Sequence, residues 1–244
     1  MSVGGIHEQV FSAVKQCLDQ DANGSGAVLY NGWSSLRPGL LYLMGLNPGG
    51  NSEKIEETVL QSIDPWKENY SSYTDECWNR THPATCDLIE CRGESRHQRG
   101  VRALVDTFCL EIGIKDVFAA NAIFTRTTDQ YSLRGPCELW DKCWPVHRLF
   151  LSIVQPKLIL CLGNGDRLSA FSLLRSRFSG TPIVQYCGRQ DFRDGKWFAG
   201  KVAVGQKELQ ELECMVVGIP HPSRYVVTRR LQDYLEQLRD RLAG

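Results

Sequence analysis

The sequence is without three features that mark common classes of protein. It has no excess of either charge, since 28 basic and 28 acidic residues give a formal net charge of zero, whereas nucleic-acid-binding domains are often basic. No apolar run reaches the roughly 20 residues of a membrane-spanning helix. Residues 1–20 are polar and of mixed charge, unlike a secretory signal. These absences predict a cytoplasmic protein without a membrane partner.

Motifs for nucleotide and metal binding are also missing. No G-x-G-x-x-G follows the first predicted strand and no P-loop occurs, which counts against a Rossmann-like nucleotide enzyme. The ten cysteines form no C-x2-C pair; the C-x4-C pair Cys86 and Cys91 and the C-x5-C pair Cys137 and Cys143 are not typical of zinc or iron–sulfur sites. We therefore expect no metal and no cofactor. The cysteines in apolar runs are assigned to the core: Cys109, Cys161 and Cys214.

The sequence does contain an alternation of helical and strand-like hydrophobic periods. The predicted strands are residues 40–46, 117–124, 157–162 and 214–219, with one or two weaker strands within 181–204. The predicted helices are residues 6–18, 97–112, 139–154, 166–178 and 226–242. This alternation predicts one domain (1–244) of the α/β class, a three-layer α/β/α sandwich with a central, mostly parallel four-stranded sheet.

Two polar segments begin where predicted strands end. GLNPG occupies residues 45–49 and HPSRY occupies residues 221–225. Open α/β sheets bind ligands outside the carboxyl ends of their strands, so we expect Asn47 and His221 to face one pocket. This pair suits a reaction that needs a held water and a hydrogen-bond donor for a leaving anion. From these segments alone, Asn47 as a turn residue before Pro48 and His221 as an ordinary loop histidine remain alternatives.

Two further segments complete a resemblance to a known family. ANAIFTRTT at 120–128 and PKLILCLG at 156–163 lie in order between GLNPG and HPSRY. The four segments together resemble the uracil-DNA glycosylase superfamily, in particular its mismatch-specific and single-strand-selective branches. The resemblance implies a monofunctional DNA glycosylase that flips a nucleotide out of the helix. It would hydrolyse the N-glycosidic bond of uracil or a C5-modified pyrimidine and leave an abasic site.

The resemblance also implies a role for each polar motif residue. The side-chain carbonyl of Asn47 would hold the attacking water, and His221 would donate a hydrogen bond to O2 of the departing base. Asn121 would pair with O4 and N3–H of uracil, and the alternative is an amide satisfied by a neighbouring loop. The fastest members of the family carry Asp at the position of Asn47, so slower chemistry is expected. Because no lysine lies in the motifs, no lyase chemistry is expected.

Other residues are expected to contact the substrate through the same resemblance. The flipped base stacks on an aromatic residue after the first motif, for which Tyr70, Tyr73 and Trp78 are candidates and Tyr73 is preferred. The other predicted substrate-binding residues are Gly45, Leu46, Pro48 and Gly49. The predicted DNA-binding residues are Arg126, Ser223, Arg224 and Tyr225. A solvated surface role remains the alternative for Arg126.

The residues after Pro48 depart from the most uracil-restricted branch of the family. That branch places a bulky aromatic residue there, which crowds C5 of the pyrimidine, whereas Gly49 and Gly50 leave room. We therefore expect the pocket to accept C5-modified pyrimidines such as glucosylated hydroxymethylcytosine. The biological role would then be DNA repair or defence against phage with modified bases.

A competing function and a possible cluster are alternatives to this interpretation. The competing hypothesis for function is a catalytically weak member of the same fold that binds DNA or nucleotides. The iron–sulfur branches of the family carry two close cysteines near the N-terminus, where this chain has only Cys17, so no cluster is expected. The expected partner is single- or double-stranded DNA, and the protein is expected to be a monomer.

Overall fold

The computed structural model describes most of the chain in nine segments. These are residues 3–50, 57–65, 67–78, 92–108, 112–180, 182–187, 195–205, 210–226 and 228–243. Three of the cysteines discussed above, Cys86, Cys91 and Cys109, lie outside the described residues.

α-Helices and β-strands alternate along the described residues. The helices are α1 (Val3–Leu18), α2 (Arg96–Phe108), α3 (Pro136–Val154), α4 (Ala170–Arg175) and α5 (Arg229–Ala243). The strands are β1 (Leu41–Gly45), β2 (Phe118–Asn121), β3 (Leu158–Leu162), β4 (Gln185–Tyr186), β5 (Lys196–Val204) and β6 (Gln210–Ile219).

The strands form one mixed sheet in the order β2-β1-β3-β6-β5-β4. β1 pairs in parallel with β2 on one side and with β3 on the other, and β6 runs parallel to β3. β5 is antiparallel to β6, and β4 is antiparallel to β5. The chain passes from β1 outward to β2 and then back across to β3. The connection after β1 therefore runs to one side of the sheet, and the connection into β3 runs to the other. Open α/β sheets bind ligands at the carboxyl edge between two such strands, which here are β1 and β3.

Helices cover both faces of the sheet. Alternate residues of a strand point to opposite faces, so Tyr42 and Met44 of β1 join one core while Leu41 and Leu43 join the other. The first core contains buried side chains of α1, α3 and α4, and the second contains those of α2 and α5. Burial on both faces explains why the parallel strands are almost entirely apolar in sequence.

The α/β class is confirmed, but the predicted four-stranded sheet is wrong, because the sheet has six strands and is mixed. The four strong predicted strands correspond to β1, β2, β3 and β6, and β4 and β5 lie in the segment where only weaker strands were expected. β5 buries alternate residues in part of its length, such as Phe198, Val202 and Val204. Gly200 and Lys201 between these positions hide the apolar pattern in the sequence.

The predicted helix at 166–178 is shorter in the structure. Ser169 caps α4, since its Oγ accepts from the N–H of Ser172 at 3.1 Å and its N–H donates to Oγ of Ser172 at 3.0 Å. The helix therefore begins at Ala170, and the preceding residues stay in a loop beyond β3. This loop contributes to the site described next.

Cys161 and Cys214 are buried, as predicted, while Cys137 is exposed. Among the described residues, no group of three or more His, Cys, Asp or Glu side chains is placed to hold a metal ion. No helix in the described part of the chain combines the length and the apolar character needed to cross a membrane.

Candidate active site

A cleft of about 1690 Å³ opens at the carboxyl edge of the parallel strands. Asn47 lies two residues beyond β1, Asn121 is the last residue of β2, and His221 lies two residues beyond β6. Of the residues to which the sequence assigned a site role, the following line this cleft: Gly45, Leu46, Asn47, Pro48, Gly49, Tyr73, Trp78, Asn121, Arg126, His221, Ser223, Arg224 and Tyr225. The fold thus brings the two distant motifs together, as expected from the strand ends, while their chemical roles stay predictions.

The side-chain amide of Asn47 is held in one orientation. Its Nδ2 donates to the main-chain oxygens of Pro48 (3.2 Å) and Thr125 (3.3 Å) and to Oγ1 of Thr127 (2.8 Å). Carbonyl oxygens only accept, so the amide nitrogen must lie on this side. The Thr127 hydroxyl donates its own proton to the main-chain oxygen of Asp129 at 2.8 Å. Oδ1 of Asn47 is left on the other side of the amide, and no hydrogen bond from a described residue reaches it.

The ring of His221 is held in one tautomer by its own turn. The main-chain N–H of Ser223 donates to Nδ1 at 3.3 Å, and the Ser223 hydroxyl lies 2.7 Å from the same nitrogen. Because Nδ1 accepts, the proton of the neutral ring is on Nε2. Burial, with a smaller contribution from the positive charge of Arg224, lowers the pKa of His221 to about 4. At neutral pH the ring is therefore uncharged and Nε2–H is a hydrogen-bond donor.

Asn121 is only 1% exposed at the end of β2. Its Nδ2 donates to the main-chain oxygen of Ala27 at 3.3 Å, and the side chain of Tyr30 lies beside it. A carboxamide has two donor hydrogens and two acceptor lone pairs, so capacity for a ligand remains. Gly45 on the adjacent strand makes space for this amide, since a Cβ on Gly45 would lie 2.8 Å from Oδ1 of Asn121.

We expect Gly45→Ala to impair the site without unfolding the protein. The added methyl group would displace the Asn121 amide, which is the movable end of a side chain. Gly39→Ala is the matched control, because Gly39 does not line the cleft and a Cβ there would lie 3.7 Å from the main-chain oxygen of Arg37, an ordinary contact distance. Release of uracil should fall at least about tenfold for Gly45→Ala and stay within about twofold for Gly39→Ala. Equal losses in the two variants, with unchanged thermal unfolding, would contradict the placement of Asn121.

One wall of the cleft is a series of packed rings. Tyr73 stacks on Tyr30 with centroids 5.5 Å apart, Trp78 packs edge-on against Tyr73 at 6.0 Å, and His97 stacks on Trp78 at 5.3 Å. Tyr73 is 2% exposed, whereas Tyr30 and Trp78 are partly exposed to the cleft. A flipped base stacks on an exposed ring face, so this burial favours Tyr30 and Trp78 over Tyr73 as the stacking surface.

Glu76 fixes the position of this wall. Its carboxylate accepts hydrogen bonds from the hydroxyls of Tyr70 and Ser72 and from the indole N–H of Trp78. Tyr70, a sequence candidate for base stacking, does not line the cleft. Burial and the neighbouring Glu76 raise the pKa of Tyr70 well above its ordinary value, which keeps its hydroxyl a donor. The sequence reasoning assigned no site role to Glu76, which sits in an irregular segment without a local motif.

The rim of the cleft carries cations and exposed rings. Nη1 of Arg126 donates to the main-chain oxygen of Gly49 at 2.6 Å and so ties the first motif to the loop after β2. The main-chain N–H groups of Arg224 and Tyr225 both donate to the oxygen of His221, at 3.0 Å and 3.1 Å, and their side chains are exposed. Tyr131, which the sequence reasoning missed, also lines the cleft and is 83% exposed.

Three histidines whose pKa values are lowered in the fold should make the protein less stable in mild acid. Burial lowers the pKa of His97 to about 3 and those of His147 and His221 to about 4. The unfolded chain then binds more protons than the folded one, so stability is complete above about pH 6.5 and is lost as the pH falls toward 4. We expect urea unfolding to show a falling free energy between about pH 6.5 and 5, by up to about 1.4 kcal/mol per pH unit for each group. A free energy of unfolding that does not depend on pH in this window would contradict the lowered pKa values of these three histidines.

Comparison with protein-family models and with curated proteins finds no match to this chain. The resemblance noted in the sequence therefore rests on the four short motifs alone.

Proposed function

We propose that the protein is a monofunctional DNA glycosylase that hydrolyses the N-glycosidic bond of uracil or a C5-modified pyrimidine in DNA. The observation that carries this proposal is the orientation of two side chains on one cleft. Asn47 is held with its carbonyl oxygen unpaired by any described residue, and His221 is held neutral with its proton on Nε2. One group can accept a hydrogen bond from a water, and the other can donate to an anion.

These two groups match the electrostatics of N-glycosidic bond cleavage. As the bond breaks, positive charge develops on the sugar and negative charge develops on the departing pyrimidine. Oδ1 of Asn47 would orient a water toward C1′ of the sugar, and the oxygen of that water would form the new bond to C1′. Nε2–H of His221 would stabilise the charge on O2 of the base, as a donor in an oxyanion hole does. The attacking water gives up one proton to solvent, the departing base takes one proton from solvent, and an abasic site remains.

The cleft also supports recognition of an extruded pyrimidine. The Asn121 amide lies at the end of β2 beside Gly45, and the partly exposed rings of Tyr30 and Trp78 offer stacking surfaces. A Cβ on Gly49 would meet no described residue within 4 Å, so the described part of the chain leaves space beside the first motif. This space supports acceptance of a C5 substituent, and we propose C5-modified pyrimidines as substrates together with uracil.

Schiff-base lyase chemistry is not part of this proposal. Lys67 lines the cleft, but it is 5% exposed and forms an ion pair with Glu57. A lyase nucleophile must reach the sugar with its amine, and the Lys67 amine is instead held in its ion pair with Glu57. Strand breaks should therefore appear only after alkali treatment of the product.

The proposal is tested by incubating the protein with labelled oligonucleotides that contain uracil, 5-hydroxymethyluracil or glucosylated hydroxymethylcytosine. Each is assayed in single- and double-stranded form, with and without alkali. We expect alkali-dependent breaks at the modified position with the wild type and none with the Asn47→Ala, His221→Ala double variant. Binding without breaks on every substrate would instead support a catalytically weak DNA-binding protein. Strand breaks at uracil alone would contradict a pocket that accepts C5-modified pyrimidines.

Tyr131 should contribute to DNA binding from the rim. Its turn is rigid, because Oδ1 of Asp129 accepts from the main-chain N–H groups of Tyr131 (2.8 Å) and Ser132 (2.9 Å). An exposed tyrosine that stacks on a base contributes about 1–3 kcal/mol, so Tyr131→Ala should weaken binding to uracil-containing duplex by about fivefold or more. The matched control is Tyr186→Ala, since Tyr186 is 41% exposed on β4 and does not line the cleft. Equal affinities of the two variants in a fluorescence anisotropy titration would contradict this role.

A further inference from the structure

Helix α2 packs directly against the turn that carries His221. The ring of His97 stacks on the ring of His221, with centroids 4.6 Å apart and an angle of 19° between the planes. One turn further along the same helix, a Cβ on Gly100 would lie 2.9 Å from Cβ of Pro222. Residues three apart lie on one helix face, so the start of α2 contacts two consecutive residues of the His221 turn.

His97 is itself held firmly from its other side. Its ring stacks on Trp78 at 5.3 Å and 27°, and the Trp78 indole N–H donates to the carboxylate of Glu76. The next residue, Gln98, donates from Nε2 to the main-chain oxygens of Ser72 (2.7 Å) and Glu76 (3.0 Å). The stack Trp78–His97–His221 is thus anchored to the loop before α2 by three hydrogen bonds.

Among the described residues, the ring of His97 makes stacking contacts with Trp78 and His221. Its Nδ1 is buried and accepts or donates no hydrogen bond among the described residues. Burial, followed by the neighbouring His221, lowers the pKa of His97 to about 3, so the ring is neutral when it lies against His221. A flat, neutral, anchored surface fixes the plane of the ring stacked on it.

We propose that His97 is a positioning residue for His221, which sets the plane of the His221 ring so that Nε2–H faces O2 of the leaving base. The proposal rests on the proposed glycosylase function. Ser223 fixes which nitrogen carries the proton, whereas His97 fixes where that proton points. Gly100 serves the same end, because only a residue without Cβ lets Pro222 approach α2 this closely.

Three variants separate positioning from other roles. His97→Ala removes the stack, and His97→Phe keeps a flat ring but removes both nitrogens. His7→Ala is the matched control, because His7 packs edge-on against Trp33 at 4.7 Å and hydrogen bonds to the main-chain oxygen of Ile63, and none of these three residues lines the cleft. Single-turnover base release and affinity for a non-cleavable substrate analogue are measured for each variant at a temperature below its unfolding transition.

We expect the single-turnover rate to fall at least about tenfold in His97→Ala, because a small misplacement of a catalytic group is costly. The affinity of His97→Ala for the non-cleavable analogue should change little. His97→Phe should recover to within about threefold of the wild-type rate. His7→Ala should keep the wild-type rate. Gly100→Ala offers a second route: alanine favours the helix, yet its Cβ would push Pro222 and lower the rate. A wild-type rate in His97→Ala would overturn the proposal, and so would a His97→Phe variant as slow as His97→Ala, which would indicate a direct hydrogen bond to the substrate.

The stacking of His97 on His221 can also be measured without catalysis, by NMR of the His221 ring. Its Cε1 proton, assigned by its absence in His221→Ala, should show a ring-current shift that His97→Ala abolishes and His97→Phe retains. If the wild type is active but shows no such shift, the positioning role of His97 is wrong while the proposed function stands. A wild type that releases no base from any DNA would refute the proposed function and the positioning with it.

Discussion

Replacing His221 by alanine should slow base release by about 10²–10³, the typical cost of one lost donor to a developing anion. The structure holds His221 neutral with its proton on Nε2, so the interaction strengthens only as charge builds on the leaving base. Affinity for a non-cleavable substrate analogue should therefore stay within about threefold. Single-turnover kinetics with a saturating excess of protein measures this separation of rate from binding.

The pH dependence of the wild type supplies the control for this result. Because the pKa of His221 is about 4, the ring keeps the same protonation state from about pH 5.5 to 8. The single-turnover rate should show no inflection near the ordinary histidine value of about 6.5 in that range. Two results would contradict the role of His221 as a neutral hydrogen-bond donor. One is a His221→Ala rate within threefold of the wild-type rate. The other is a clear inflection in the wild-type pH profile that disappears in His221→Ala.

The second large effect is expected at Asn47. Asn47→Ala removes the oxygen proposed to orient the attacking water, and we expect the rate to fall by about 10² or more. Thr127→Val removes only the hydroxyl that accepts from Nδ2 of Asn47 at 2.8 Å, and should cause a smaller loss of about tenfold. Thermal unfolding of both variants should be measured, so that a loss of folding is not read as a loss of catalysis.

Asn47→Asp gives the sharper test at this position. A carboxylate oxygen would replace Nδ2 and face the main-chain oxygens of Pro48 and Thr125, which cannot donate. We therefore expect Asn47→Asp to destabilise the protein by about 1–3 kcal/mol and to slow the reaction, even though the fastest members of the resembling family carry Asp. An accelerated reaction in a fully stable Asn47→Asp protein would contradict the observed amide orientation.

The strands that carry the site were predictable because they are buried on both faces. β1, β3 and the end of β6 are short apolar runs, and each is followed by a glycine-containing or proline-containing turn. Parallel strands place their carboxyl ends at one edge, so Asn47 and His221 were expected to share a pocket before any contact was known. The amide orientation of Asn47 was not predictable, since it depends on Thr125 and Thr127 from the loop after β2.

The residues that the sequence reasoning missed are those placed by long-range contacts. Tyr30 lies in an irregular segment that joins the sheet through a hydrogen bond from its N–H to the oxygen of Ala119, 2.9 Å away. His97 was predicted only as the first residue of a helix, and nothing local indicates that its ring stacks on one 124 positions later in the chain. β4 and β5 were underestimated because strand pairing, of β5 with β6 and of β4 with β5, stabilises them in place of continuous apolar character.

The most direct test of the proposed chemistry is mass spectrometry of free bases released from DNA. Wild-type protein should release uracil or a C5-modified pyrimidine in an amount equal to the abasic sites formed. The Asn47→Ala, His221→Ala double variant, folded and still bound to DNA, should release none. If no free base appears from any of these DNAs while the wild type binds them, or if the double variant matches the wild type, the cleft does not catalyse N-glycosidic bond hydrolysis through Asn47 and His221.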